Sequence, residues 1–289
     1  MKLFSYKSDS GLRAGLLYET QLFDLRELSG GRLPSSLLQF IQTGEWSADI
    51  ILNTISSKSR VKAELEDVQI SAPIINPSKI IAVGLNYEDH AIEIGVTPPE
   101  KPIIFSKFTS SITGPYDEIY CPSSLTSKLD YEVELGVVIG TPGYRISEKT
   151  ALNHVFGYMV LNDLSARDLQ FSDHSGQWDL GKSLDGFCPC GPYIVTRDEV
   201  PDPQCLSIEC RVNDKIVQSS NTSNMLFTVQ KLISYVSQGI SLFPGDIIAT
   251  GTPAGVGFSQ SPPLFLADDD ECICKIDGLG TQRNKIRIN

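Results

Sequence analysis

The 289-residue chain is short of several things, and each shortage removes a class of function. Basic residues are outnumbered: 24 Lys+Arg stand against 35 Asp+Glu, a formal net charge of -11. Nucleic acids and anionic membranes require basic surface, so neither is an expected partner. No stretch approaches the ~18 consecutive apolar residues of a membrane span. The opening Met1-Lys-Leu-Phe-Ser-Tyr-Lys lacks the apolar segment of a signal peptide, and a cytoplasmic protein is expected. The seven cysteines contain no CxxC; Cys188/Cys190 and Cys272/Cys274 are i,i+2 pairs, so free thiols in a reducing compartment are expected rather than a zinc knuckle or redox motif. Gly251-Thr-Pro-Ala-Gly-Val-Gly257 has neither the GK[ST] ending of a Walker loop nor the GxGxxG order of a dinucleotide fold. Internal repeats and low-complexity tracts are missing, and histidine occurs only three times.

What is present is an ordinary globular composition, 41% hydrophobic and 20% charged, long enough for one large domain or one large and one small. Short strands are expected at Lys2–Tyr6, Arg13–Tyr18 and Gln21–Leu25, with a turn at Glu19–Thr20, then helices at Pro34–Ile41 and Ala48–Ile55. The proline-marked Ser71–Ser78 joins two units, a small α+β domain at 1–72 without a chemical motif and a larger one at 73–289. In the larger unit, strands are expected at Lys79–Leu85, Phe156–Leu161 and Asp246–Thr250. A helix is expected from about Tyr87, with Asn86 as N-cap and Gly95 as its stop. Further helical stretches are expected at Ala151–His154, Asp168–Phe171 and Ser223–Gln238. The acidic run Asp268–Glu271 suits a solvated turn before a strand.

The segment Leu129-Asp-Tyr-Glu-Val-Glu-Leu-Gly-Val-Val-Ile-Gly140 is expected as one strand, with Asp130, Glu132 and Glu134 on one face. Like charges beside an apolar run must take up protons or hold a cation. All-oxygen ligands suit Mg²⁺, Mn²⁺ or Ca²⁺ rather than Zn²⁺. A solvated edge strand is the alternative. Asp163, at a strand end, is placed to complete a metal site, while Arg167 and Asp168 are compatible with a local ion pair. His90 and Glu93 share a helix face, so Glu93 could orient an imidazole that takes a proton, although an exposed pair without a role has the same spacing. Lys182, in a Gly-bracketed loop, could stabilise an anion or simply be solvated. The glycines of 251–257 allow backbone N–H groups to approach a carboxylate, or serve a plain tight turn.

Each piece is weak alone, and their order is not. Gly84-Leu-Asn-Tyr-Glu-Asp-His90, Lys101-Pro-Ile-Ile-Phe-Ser-Lys107, Leu129–Leu135, Asn162-Asp-Leu-Ser-Ala-Arg-Asp-Leu-Gln170, Gly181-Lys-Ser-Leu-Asp-Gly-Phe187, Pro244–Gly257 and Gly278-Leu-Gly-Thr-Gln-Arg-Asn284 together resemble the fumarylacetoacetate hydrolase family over about residues 75–289. The lead segment resembles the short N-terminal domain of bacterial members. One departure is Ala267-Asp-Asp-Asp-Glu271, where relatives often read Gly-Asp before a final strand. The resemblance implies an α+β fold whose mixed β-sheet is rolled into a barrel-like form, usually as a homodimer. It implies Mg²⁺ or Mn²⁺ on Glu132, Glu134 and Asp163, with Ca²⁺ able to occupy the same oxygens in a crystal, and Asp130 behind them. It implies His90 and Glu93 as a lid dyad, Lys182 as the active-site lysine, and Arg167, Gln170 and Thr252 as substrate contacts.

The expected reaction is hydrolysis of the C–C bond of a 2,4-dioxo acid (an acylpyruvate, a fumarylpyruvate-like compound or a dioxo-deoxy sugar acid) through a metal-bound pyruvate enolate. Oxaloacetate decarboxylation and enol–keto isomerisation use the same site. A non-catalytic 2-oxo-acid-binding protein is disfavoured because the metal, acid–base and lysine positions are all present. Substrate choice is expected to reside in Ile94–Glu100 and Phe171–Trp178, where His174 and Trp178 could contact a distal tail.

Overall fold

The computed structural model describes residues 1–19, 21–44, 68–171 and 176–289. The expected helix Ala48–Ile55, Thr20 of the first turn, and His174 lie outside the described residues. The chain is α+β, and its larger sheet has ten strands. The path runs Gln21–Asp24, Gly11–Tyr18, Lys2–Ser8, Ile194–Thr196, Val155–Asn162, Val133–Ile139, Ile247–Ala249, Ile80–Gly84, Ile103–Lys107, and Ile70–Ser71 pairs with Lys2–Ser8 off the path. The sheet is mixed, because Ile247–Ala249 runs parallel to Ile80–Gly84 while its other neighbour is antiparallel. Among the described residues the path is open, with Gln21–Asp24 and Ile103–Lys107 at its ends, and these pairings draw no closed barrel. A second sheet of five strands orders Lys215–Asn221, Ser207–Val212, Glu271–Ile276, Gly280–Ile288, Ile119–Cys121.

Alternation along Val133–Ile139 builds two cores. Val133, Leu135, Val137 and Ile139 pack with Ile208, Cys274 and Ile286 of the second sheet. Val138 faces the other way, into a core with Leu3, Leu16 and Phe156 and with Leu37, Phe40 and Ile41 of the helix Leu37–Thr43. The segment expected as a lead domain therefore shares both sheet and core with the rest: Leu3 pairs with Ile194, and Met1 donates from its amino group to Thr196 Oγ1 at 2.6 Å.

The expected strand Leu129–Gly140 is broken. Leu129–Asp130 pairs with Ser165–Ala166 in a separate two-stranded ladder, and the main strand starts at Val133. Tyr131 and Glu132 lie between the two pairings, so Asp130 is not on the same ladder as Glu134. The helix Glu88–Glu93 begins after Tyr87, and Asn86 is not its cap. Asn86 is fully buried and donates instead to Phe227 O and Thr250 O, at 3.1 and 2.7 Å. Its amide staples the helix start to two loops, a use its neighbours in sequence do not reveal. Gly95 does follow the helix at φ 68, the left-handed conformation expected of a stop. The acidic run resolves as expected into a turn before Glu271–Ile276.

Candidate active site

Strand ends and two very short helices bring the predicted residues together. Glu134 is the second residue of Val133–Ile139, and Asp163 directly follows Val155–Asn162. The N–H of Asp163 donates to Glu132 O at 2.9 Å, which locks the two carboxylate-bearing segments side by side. Arg167 opens the helix Arg167–Gln170, and Lys182 closes Asp179–Lys182. These helices touch because Gly181 has no side chain: a Cβ there would stand 2.5 Å from Gln170 N.

The floor of the site is sealed and densely charged. Glu132, Glu134 and Asp163 are buried and offer oxygens within 4.8 Å of one another. Lys182 Nζ bridges Glu132 at 2.8 Å and Asp163 at 2.9 Å. Arg167 joins Glu132 at 2.7 Å and Asp130 at 2.8 Å, and donates to Gln170 Oε1 at 2.9 Å. The expected Arg167–Asp168 pair does not form, since Asp168 accepts from Thr126 Oγ1 and Ser127 N instead.

Lys107 was given no role by the sequence, yet it is 1% exposed and reaches Asp163 at 2.6 Å and the carbonyl oxygen of Lys182. The signal available was a lysine ending an apolar strand, Ile103–Lys107, in a segment that already carried the family resemblance.

Electrostatics divide the three carboxyls. Burial opposes the charge of Glu132, but Lys182 and Arg167 outweigh it and hold the group down to about 2. Burial, then the charges of Asp163 and Glu132, push Glu134 well above the carboxylate range. Its bonded partner is Gly251 N at 2.8 Å, and among the described residues no cationic side chain pairs with it. Burial works against the charge of Lys182, yet Asp163 and Glu132 keep its ammonium above the ordinary lysine range.

The residues fit a divalent ion. Oxygens around one Mg²⁺ or Ca²⁺ lie no more than about 4–5 Å apart, and Glu134 is a buried carboxyl lacking a positive partner. A hard cation would supply one.

The Gly251–Gly257 loop does bind carboxylates, and they are the protein's own. Gly251 N holds Glu134, Gly255 N holds Glu93 at 2.9 Å, and Gly257 N and Phe258 N hold Asp130 at 2.7 and 3.0 Å. Gly257 needs its missing side chain here, because a Cβ would lie 2.5 Å from Asp130 Oδ1. The Thr252 hydroxyl is likewise engaged within the protein, donating to Val133 O at 2.9 Å and accepting from Gln218 at 2.9 Å. Its expected substrate contact is therefore left to atoms other than the hydroxyl hydrogen.

Above the floor, His90 Nδ1 lies 3.0 Å from Glu93 Oε2. Burial disfavours the Glu93 charge, but hydrogen bonds from His90, Ser259 and Gly255 N keep its carboxyl below the usual range. A cavity of about 340 Å³ joins the two levels. Its walls include His90, Glu132, Arg167, Gln170, Lys182 and Thr252. Ile94, Phe105, Phe171, Trp178 and Phe258 give it an apolar mouth. Ile94 and Trp178 come from the two stretches expected to choose substrate.

The model of the fumarylacetoacetate (FAA) hydrolase C-terminal region matches residues 79–287. The chain belongs to the fumarylacetoacetate hydrolase family. It is 46% identical over 254 residues to the human mitochondrial oxaloacetate tautomerase FAHD2A, covering 88% of this chain and 80% of the relative. The solved fumarylacetoacetate hydrolase of Exiguobacterium antarcticum is 40% identical, with a TM-score of 0.88 and full coverage of both chains. A maleylpyruvate hydrolase from Sphingobium sp. SYK-6, solved with manganese(II) and pyruvate, is 29% identical at a TM-score of 0.82, again covering both chains completely. Among the described residues, no helix is long and apolar enough to cross a membrane, and all seven cysteines are free.

Proposed function

We propose that the protein is a divalent-metal-dependent enzyme that moves a proton on a small 2-oxo acid, interconverting the enol and keto forms of oxaloacetate or a close analogue. The observation that carries this reading is a single cavity with an acid–base pair on one side and fixed cations above a three-carboxylate cluster on the other. Sequence reasoning put hydrolysis first. The 46% identity to an oxaloacetate tautomerase moves proton transfer ahead of it.

Glu132, Glu134 and Asp163 would hold Mg²⁺ or Mn²⁺, which when bound supplies Lewis-acid polarisation of the 2-oxo group. The chain's own residues do the rest. Nδ1 of His90 is occupied by Glu93, so Nε2 is the nitrogen left to exchange a proton with substrate C3. Glu93 stays ionised and fixes the imidazole's tautomer and orientation. Lys182 and Arg167 present permanent positive charge to the oxygen on which electron density collects and to the substrate carboxylate. Gln170 is held by Arg167 through its oxygen, which orients its amide for a polar substrate atom. Phe171, Trp178 and Phe258 exclude water from the mouth.

Hydrolysis of a 2,4-dioxo acid is the second reading, favoured by the likeness to the maleylpyruvate hydrolase. There His90 would take its proton from water rather than from carbon. Decarboxylation of oxaloacetate would use the cations without attacking water. The proposal includes a homodimer, expected to sediment at about twice the 31.7 kDa chain mass, and action in the cytosol.

The test is a panel at saturating Mg²⁺ comparing tautomerisation of oxaloacetate, its decarboxylation, and cleavage of acylpyruvates. Tautomerisation is expected to have the highest kcat/KM. Tautomerisation no faster than buffer, beside efficient acylpyruvate cleavage, would put hydrolysis in its place.

A further inference from the structure

Three cysteines with no part in this reading meet in the core between the two sheets. Cys210 lies on Ser207–Val212, and Cys272 and Cys274 lie on Glu271–Ile276. Antiparallel register sets Cys210 opposite Cys274, and alternation sends Cys272 and Cys274 to the same side. All three are at most 1% exposed. Cys210 Sγ stands 3.9 Å from Cys272 Sγ and 3.8 Å from Cys274 Sγ, and the three sulfurs lie within 4.8 Å of one another. Sulfurs sharing one ion at a metal–sulfur distance of about 2.3 Å are separated by roughly 3.8–4.0 Å. Two sides of the triangle thus have the length expected of sulfurs sharing an ion.

Weak hydrogen bonds link the three sulfurs. Cys274 donates to Cys210, Cys210 is within S–H···S distance of Cys272, and Asn162 Nδ2 donates to Cys272 Sγ at 3.4 Å. Cys272 Sγ thus receives one fixed donor, the Asn162 amide. Hydrogen bonds from Cys210 and Cys274 pull its thiol well below the usual range against the cost of burial, with Asn162 adding to them. Burial pushes Cys210 and Cys274 well up.

We propose that Cys210, Cys272 and Cys274 form a buried three-sulfur site for a soft monovalent cation, with Cu(I) as the ion. Sulfur ligands suit soft ions, Cu(I) and zinc among them. Zinc would need a fourth ligand. The adjacent polar side chain, Asn162, has its oxygen committed to Glu132 N at 3.0 Å. Binding moves no electrons: the three sulfurs donate lone pairs, and any proton released goes to solvent. Because the cluster is sealed, the ion enters as the two strands assemble. Asn162 also connects the site to the catalytic floor, since it touches Cys272 on one side and Glu132 on the other, and Asp163 is the next residue.

The experiment uses the full chain carrying Cys205→Ser, which removes the exposed thiol. Native and refolded protein are given Cu(I) anaerobically beside a competing chelator, with Zn²⁺ in a parallel arm. Stoichiometry, melting temperature and X-ray absorption are read. One Cu(I) per refolded chain, bound by three sulfurs and raising Tm, is expected. Cys272→Ser and the volume-conserving Cys274→Val are expected to weaken retention at least about tenfold, while Glu134→Gln retains it. Loss of all copper to the chelator in both preparations, retention undiminished in the cysteine variants, or retention of zinc instead would overturn the proposal, leaving the three thiols as apolar packing. None of these readouts depends on catalysis, so the proposed reaction can fail without touching this site.

Discussion

The floor and the mouth of the cavity are built on opposite plans. On the floor, Glu132 and Asp163 each have two cationic partners, Lys107 and Lys182 are at most 2% exposed, and backbone N–H groups of the 251–258 loop hold Glu134 and Asp130. At the mouth, His90 has one side-chain hydrogen bond among the described residues, and Phe171 is 47% exposed. Groups in an over-determined network cannot follow a substrate, so they define what charge is accepted. Groups with few partners can move, and proton exchange and entry belong to them. Removing a cation-paired charge from the floor should therefore damage binding and structure together, while a change at the mouth should damage rate or selectivity and leave the fold alone.

The sharpest way to break this contrast lies within the floor. Glu132→Ala leaves Lys182 and Arg167 facing a buried vacancy and should lower stability by about 3–5 kcal/mol, with all activity lost. Glu134→Gln should also abolish metal binding and activity, yet melt close to wild type, because no cation loses a partner. Equal melting temperatures for the two variants would show that the cations do not depend on Glu132. Next in size, His90→Ala or Glu93→Ala should lower kcat for tautomerisation or hydrolysis by about 10²–10⁴-fold with little change in Tm. Oxaloacetate decarboxylation, which needs no attacking water, should fall less in the same variants, as steady-state assays of each reaction will show.

Trp178 comes third. Its indole lies against Gly84, where an added Cβ would be 2.4 Å away, and meets Phe105 edge-on at 5.5 Å between ring centres. Trp178→Ala should shift kcat/KM toward 2-oxo acids with longer tails by about 10–200-fold, the range for pocket shape alone. No change in the ratio of kcat/KM between short and long substrates would remove the mouth from substrate choice. The smallest effect is expected at Thr252→Val. It deletes a hydroxyl bonded to Val133 O and Gln218 and should cost roughly 1–3 kcal/mol in stability, with a chemical melt as the readout. A large loss of kcat at unchanged stability would instead show the hydroxyl acting on substrate.

Much of the floor was legible in the sequence because collinear motifs carry it: Glu132, Lys182 and His90 line one cavity, with Glu134 and Asp163 beside Glu132 and Glu93 bonded to His90. What escaped was set by distant partners. Lys107 is significant only because Val155–Asn162 and the Lys182 turn end beside it. Asn86 has a good N-cap residue type, but burial against Phe227 and Thr250 redirected its amide. The break at Tyr131–Glu132 follows from a second ladder with Ser165–Ala166, which alternation alone cannot show. The glycine loop was expected to hold a substrate carboxylate or to serve as a plain turn, and only the fold could show that the carboxylates on its N–H groups are internal. The joining of the first strands to the main sheet was hidden for the same reason, since Leu3 and Ile194 are remote in sequence.

The most direct test of the division between floor and mouth is a Mn²⁺ titration of wild type, Glu134→Gln and His90→Ala after complete removal of bound metal, with kcat measured on the same samples. The account predicts that His90→Ala binds Mn²⁺ like wild type while losing turnover, that Glu134→Gln binds none, and that stripped wild type is inactive until metal is restored. Parallel loss of Mn²⁺ binding in His90→Ala, or full activity of stripped wild type in excess chelator, would contradict it.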